Sequence, residues 1–260
     1  MYDGADHAQI ITELLRPHTR PLAVRLLRPG EDFPKRVHRP AKLLKHRVTT
    51  CQAITMARRY GWKLGLQRDD VCCAAALVAY GWVEEEPTLD EVADLMLAAQ
   101  YAENPEAARR QIAAIPRLPK GECTGLVISP LEVTTWEPDL MMIYGNAAQM
   151  MRLVQAATYH EGHPLSCSFG GRAASCAEGI IRAAQTRGCH LVLPGGGDRI
   201  FAMTADDELA FTAPMEMMDQ LLEGLRMSGR QVGLAYPIPV YQGFEPRFPP
   251  TYNRLFDKIT

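Results

Sequence analysis

The sequence predicts a mixed α and β fold, an α-rich first half followed by an α/β layered second half, and three observations predict it. Apolar residues make up 47% of the 260 residues, enough for a sizeable core. Helical periodicity dominates the chain as far as Ile115. Beyond Gly125 short apolar runs alternate with helical stretches, the pattern of a layered sheet. The proline-rich stretch 116–121, PRLPKG, divides the chain into 1–116 and 121–260, which we read as two halves of one compact unit.

Taken in order, His7 to Arg16 places Ile10, Ile11, Leu14 and Leu15 on one helical face and Pro17 stops it. PLAVRLL, 21–27, is a strand bounded by proline and Pro29-Gly30, and the prolines from Gly30 to Pro40 indicate a loop. Helices follow from Cys51 to Tyr60 and from Asp70 to Tyr80, with KLGL between them as a turn or short strand and Gly61 and Gly81 as terminators. Thr88 to Ile115 holds two more helices, the second opened by Asn104-Pro105-Glu106. In the second half GLVISPL (125–131) and DLMMIYG (139–145) suit buried strands, and Ala147 to Tyr159 suits a helix. A strand over Leu165–Phe169, a helix over Ala173–Ala184, strands over His190–Leu193 and Leu209–Ala213, and a helix over Met215–Met227 complete the body. After Gly233 the prolines and aromatics predict an extended tail, with Tyr236 to Phe256 contributing to a homodimer.

Charge excludes two classes of partner. A net charge of -2 with interspersed signs gives no reason to expect nucleic acid or an anionic membrane, and the basic run Lys35–Arg47 reads as a solvated face. No apolar run approaches the roughly 20 residues that span a bilayer, and MYDGADHAQ lacks a basic n-region and an apolar h-region. The expected compartment is the cytoplasm, where seven cysteines serve packing, catalysis or metal binding rather than a disulfide framework.

The stretch from Arg47 to Trp82 concentrates that chemistry. Cys51 follows Thr49-Thr50 and Cys73 follows Asp69-Asp70, residues that cap helices. A thiol in a first helical turn meets the positive end of the macrodipole, which favours the metal-binding thiolate. A related arrangement recurs a hundred residues on and suggests an internal duplication, with Ala57–Gly61 and Cys73-Ala74 matched by Ala157–Gly162 and Cys176-Ala177.

CQAITMARRYGW, PLEV, PDLMMIYGNAAQMMRLVQAATYHEG, SCAEG and GGGDRIFAMTADDELAF followed by Pro214 resemble the prokaryotic family catalogued as domain of unknown function 169. The resemblance covers nearly the whole chain, and GNAAQMMRLVQA is its most specific part. It implies a shared fold, anaerobe-type cysteine chemistry and family cysteines at Cys51, at Cys72 or Cys73, and at Cys176. It also implies a cysteine in a glycine loop before an arginine, where this chain reads LPGGGDR with Gly195 in its place. No reaction comes with the resemblance.

The residues point to an iron–sulfur cluster, 4Fe–4S first, held by Cys51, Cys176 and one of the adjacent pair Cys72 and Cys73, with redox chemistry or an open iron acting on a small substrate. Consecutive helical residues point about 100° apart, so one of that pair belongs to the core. Cys72, Cys167 and Cys189 are possible fourth ligands, as is an open position near Arg199. Structural zinc ranks lower for want of a close C-x2-4-C pair. HEGH, His160 to His163, has the wrong spacing for a zinc helix, and Gly162 breaks it. Gly195, Gly196, Gly197 and Arg199 could instead wrap a small anion, or form a turn between strands. Two other readings therefore stand beside the cluster: a metal-free anion-binding or regulatory module, and a haem or corrinoid carrier, although no C-x-x-C-H occurs. The expected partners are a small molecule or a redox protein.

Overall fold

The short apolar runs pair into a single six-stranded sheet, seen in a computed structural model that describes residue 2 and residues 4–84, 88–238 and 249–259. The strands are β1 (Leu22–Leu27), β2 (Leu64–Leu66), β3 (Gly125–Pro130), β4 (Leu140–Gly145), β5 (His190–Val192) and β6 (Leu209–Pro214). Their order is β2-β3-β1-β4-β6-β5, and every neighbouring pair is antiparallel. The mixed fold class holds. Alternation of strands and helices did not decide strand direction, and β1 of the first half lies between β3 and β4 of the second.

Both faces of this sheet are covered, because successive strand residues point to opposite faces and nearly all of them are buried. Leu22, Val24, Leu126, Ile128, Leu140 and Met142 point to one face, packed by α3 (Thr50–Tyr60), α4 (Ala74–Ala79) and a π-helix (Ala174–Ile181) that runs into α8 (Arg182–Thr186). Ala23, Met141, Ile143, Phe211 and Ala213 point to the other, packed by α1 (Ala5–Leu15), α7 (Ala147–Ala157) and α10 (Met218–Met227). Of the other helices, α2 (Pro40–Leu44) precedes α3, and α5 (Thr88–Ala98) and α6 (Pro105–Ala113) pair with each other outside the first face. α3 and α7 start alike: the Gln52 amide donates to Thr49 Oγ1 at 3.1 Å and the Gln149 amide to Asn146 Oδ1 at 3.0 Å, with each glutamine side chain accepting in return from the cap amide.

Four sequence expectations differ from the fold. Leu165–Phe169 forms no strand. The helix expected from Asp70 is broken: the Asp70 carboxylate takes Arg39 at 2.6 Å and the Gln67 and Ala41 amides, while Val71 bridges to Val48. Cys73 is therefore the extended residue preceding α4 rather than part of a first turn. GGGDR is no turn between strands but the start of a helix, Gly196–Ala202. The expected extended tail contains a helix over Pro250–Ile259, and its residues 239–248 lie outside those described.

The sheet is a repeat. β1 and β3 pair from Leu22↔Pro130 to Leu27↔Gly125, and β4 and β6 pair in the same register from Leu140↔Pro214 to Gly145↔Leu209. β2 meets β3 with Leu64 opposite Ile128, as β5 meets β6 with His190 opposite Thr212. After each third strand comes a proline and one 3-10 turn, whose first amide bonds back across the unit: Leu131 to Pro21 at 2.8 Å and Met215 to Asp139 at 2.9 Å. The two units join through β1 and β4 about a local dyad at Ala23↔Met141.

This register realigns the duplication. α3 ends on left-handed Gly61, three residues before β2, and α8 ends on left-handed Arg187, three residues before β5. Counting back, Cys51 lies ten residues before Gly61 and Cys176 eleven before Arg187, and the wider π turn absorbs the extra residue. Cys176 thus corresponds to Cys51 and not to Cys73.

Candidate functional site

Cys51, Cys73 and Cys176 come from three segments, and the fold brings them within electrostatic reach of one another. Two backbone bonds hold the first two segments together: the Val48 amide donates to Asp70 O at 2.9 Å and the Cys72 amide to Val48 O at 3.0 Å. Cys51 then sits in the first turn of α3, its Sγ 3.0 Å from the capping Thr49 Oγ1. Cys176 enters from the π-helix, which packs on both α3 and α4. Of the adjacent pair, Cys73 packs partly into the core beside the other two thiols, whereas Cys72 is exposed.

The glycine loop closes the same site. Its helix, α9 (Gly196–Ala202), packs against α3, and a Cβ at Gly197 would lie 3.9 Å from Cys51 Sγ. Asp198 is buried there and acts electrostatically on Cys51 and Cys176. Sequence reasoning passed over this carboxylate, although GGGDR contained it. Glu178 of the π-helix is a second buried acid in electrostatic contact with Asp198, its Oε1 accepting from the Gly170 amide. On the outer side the Arg172 guanidinium stacks 3.7 Å from the Tyr101 ring, beside Gly196.

Electrostatics here reverse the expectation from the helix dipole. Burial, then the negative charge of Asp198, pushes the Cys51 thiol up to about 12. Burial, then Cys73 and Asp198, pushes Cys176 well above the usual thiol range. Desolvation outweighs a dipole worth about 1 kcal/mol near a helix end. Burial likewise raises the Asp198 and Glu178 carboxyls. Without a ligand the site favours protons; a bound cation reverses that preference.

Unsatisfied groups cluster at the same place. Asp198 Oδ1 and Glu178 Oε2 are buried with no hydrogen-bond partner among the described residues, and the buried Thr50 and Tyr80 hydroxyls interact with each other short of hydrogen-bond geometry. Tyr80 feels Cys176 and Cys51, and the Ser175 hydroxyl and amide favour the Asp198 carboxylate without reaching hydrogen-bond geometry with Oδ1. Thiols and carboxylates are the donor types that metals and clusters take. Among the described residues no three His, Cys, Asp or Glu side chains are spaced to hold a single ion.

Other expected residues lie elsewhere. The Arg199 guanidinium donates to the carbonyls of Ala205 and Glu208 and braces the loop leading to β6. Cys189 is on the opposite face beside Met217, pushed up to about 12 by burial and by nearby Cys167, whose Sγ accepts from the Leu191 amide. Cys123 is buried against Trp82 and donates to Gly125 O. His160 pairs with Glu223 at 3.6 Å on the surface, and His163 is exposed. A cleft of about 650 Å³ is lined by residues that include Thr12, Arg20, Arg58, Arg59 and Glu132, and no cysteine is among them. No helix among the described residues is long and apolar enough to cross a membrane.

Fold and site together define a cysteine-bearing α and β protein built on a duplicated sheet, and the chain belongs to the family described as Uncharacterised ArCR, domain of unknown function 169, which matches residues 10–224. A relative from Methanocaldococcus jannaschii, named uncharacterized protein MJ0308, is 26% identical over 220 residues, covering 85% of this chain and 92% of that protein. No solved structure matches the chain.

Proposed function

We propose that this protein binds an iron–sulfur cluster, of 4Fe–4S type, through Cys51, Cys73 and Cys176. The observation that carries the reading is that these three thiols lie within electrostatic reach of one another, with the buried Asp198 carboxylate acting on Cys51 and Cys176. A cluster spreads its thiolates wider than one ion does, which suits a site without single-ion spacing. When bound, such a cluster would supply one-electron chemistry, or an iron for a small substrate. The chain's own part is to hold the thiolates on three braced segments and, through burial, to keep water from them. A metal-free anion site is disfavoured, because Asp198 and Glu178 would face the anion and Arg199 is already engaged. A haem or corrinoid is disfavoured because His160 pairs with Glu223 on the surface and the cleft of about 650 Å³ has no cysteine in its lining. Free thiols at all seven cysteines suit a reducing cytoplasm, and the expected partner is a small molecule or redox protein.

The test is anaerobic purification, or reconstitution with ferrous iron and sulfide, followed by iron and acid-labile sulfide analysis. A brown protein with matched iron and sulfide is expected. A colourless chain that takes up neither ends the reading.

A further inference from the structure

We propose that Asp198 is the fourth ligand of the thiol site, an oxygen donor standing at the corner that the internal repeat assigns to Gly195. The inference rests on the cluster reading above and adds a residue outside its thiol set. The dyad that relates β2-β3-β1 to β5-β6-β4 also relates the helices on the site face. α3 of the first unit packs on α9 of the second, and the π-helix of the second packs on α4 of the first, the crosswise pairing that a dyad requires. Cys51 exchanges with Cys176, as the counting from Gly61 and Arg187 establishes. Cys73, which precedes α4, exchanges with Gly195, which precedes α9; each lies between the short edge strand of its unit and the third strand. Three of four related positions therefore carry a thiol, and the fourth carries only hydrogen.

Asp198 fills that corner. Its Oδ2 accepts from the Gly195 amide at 3.0 Å, so the carboxylate folds back over the residue that lacks a side chain. The residue is only 4% exposed, and its Oδ1 makes no hydrogen bond among the described residues, although Ser175 and the Arg58 charge favour the carboxylate form. A buried carboxylate oxygen without a partner is costly, and a cation beside it removes that cost. Its helix lies against the thiol site, with a Cβ at the neighbouring Gly197 standing 3.9 Å from Cys51 Sγ, and the carboxylate acts electrostatically on Cys51 and Cys176. Three thiolates and one carboxylate make an asymmetric site, because oxygen is the harder ligand and holds iron less firmly than sulfur. The labile position is thus at Asp198 and not at Arg199.

The test uses the full chain reconstituted with ferrous iron and sulfide, comparing the wild type with Asp198→Asn and with the double variant that adds Gly195→Cys to it. Asparagine keeps an acceptor for the Gly195 amide, which preserves the start of α9 while weakening the ligand. Gly195 has φ −84°, open to any residue, and a Cβ there meets the Gly171 carbonyl at 3.1 Å, so that loop must give by a few tenths of an ångström. Asp198→Asn is expected to release iron to a chelator about tenfold faster or more. The double variant Gly195→Cys with Asp198→Asn is expected to recover slow release and the spectrum of four-sulfur ligation. Wild-type release kinetics in Asp198→Asn, or four protein sulfurs seen spectroscopically in the wild type, would overturn the assignment while leaving the cluster reading intact. A wild-type chain that binds neither iron nor sulfide ends both.

Discussion

Cys51 and Cys176 occupy equivalent points of the two sheet units, each on the helix that leads into the short edge strand of its unit. Equivalence predicts equal consequences. Cys51→Ala and Cys176→Ala are each expected to abolish iron loading, as is Cys73→Ala, while Cys72→Ala, Cys123→Ala and Cys189→Ala retain it. Iron and sulfide content of the six variants checks this, and full loading in the first three would exclude the site.

Arg58 and Glu208 tie α3 to the start of β6. The guanidinium is fully buried, lies 4.1 Å from the Tyr144 ring and meets Glu208 Oε1 at 2.6 Å. Removing the acid leaves that charge stranded, so Glu208→Gln is expected to cost roughly 2–3 kcal/mol, a little under the fully buried range because the half-buried Arg59 shares the carboxylate. Denaturant unfolding measures it.

The same pair sets a pH dependence. Burial acts to raise the Glu208 carboxyl, but the Arg58 hydrogen bond, the Ala205 amide and the charges of Arg58 and Arg59 together hold it below its ordinary value. A carboxyl lowered in the folded state contributes fully above its unfolded pKa of about 4.3, and that contribution fades as pH falls through the folded value. Unfolding free energies measured from neutral pH down to that region should therefore fall less steeply in Glu208→Gln than in the wild type. Parallel slopes would remove Glu208 as a source of the acid limb.

α7 and α10 touch at a residue without a side chain. A Cβ at Gly224 would lie 2.3 Å from the carbonyl oxygen of Ala156. Gly224→Ala is therefore expected to destabilise the fold by about 1–3 kcal/mol, although alanine is the better helix former. A thermal or denaturant midpoint at or above the wild-type value would show that the helices separate at no cost.

The helix over Pro250–Ile259 carries exposed Leu255, Phe256 and Ile259, the last 72% exposed. We expect this apolar face to contribute to a homodimer. Sedimentation across a concentration series should show a dimer that shifts toward monomer when 249–260 is removed, and a full-length monomer throughout would discard the idea.

Sequence periodicity determined the body helices and most of the strands, because alternating or helical apolar spacing must bury one face wherever the chain goes. It also singled out Cys51, Cys73 and Cys176. Local pattern failed where a distant group decided the conformation: Arg39 captured Asp70 and broke the expected helix, and packing on α3 turned GGGDR from a turn into a helix start. The partner of Cys51 was also hidden, because the offset between the units changes along the chain, 118 residues from β1 to β4, 126 from β2 to β5 and 84 from β3 to β6, and only strand register reveals it. Which of Cys72 and Cys73 turns inward depended on the bonds between Val48 and the Asp70–Cys72 segment, and the reach of Asp198 to Cys51 and Cys176 depended on α9 packing against α3. Those are contacts between residues far apart in the chain, and no local rule of spacing contains them.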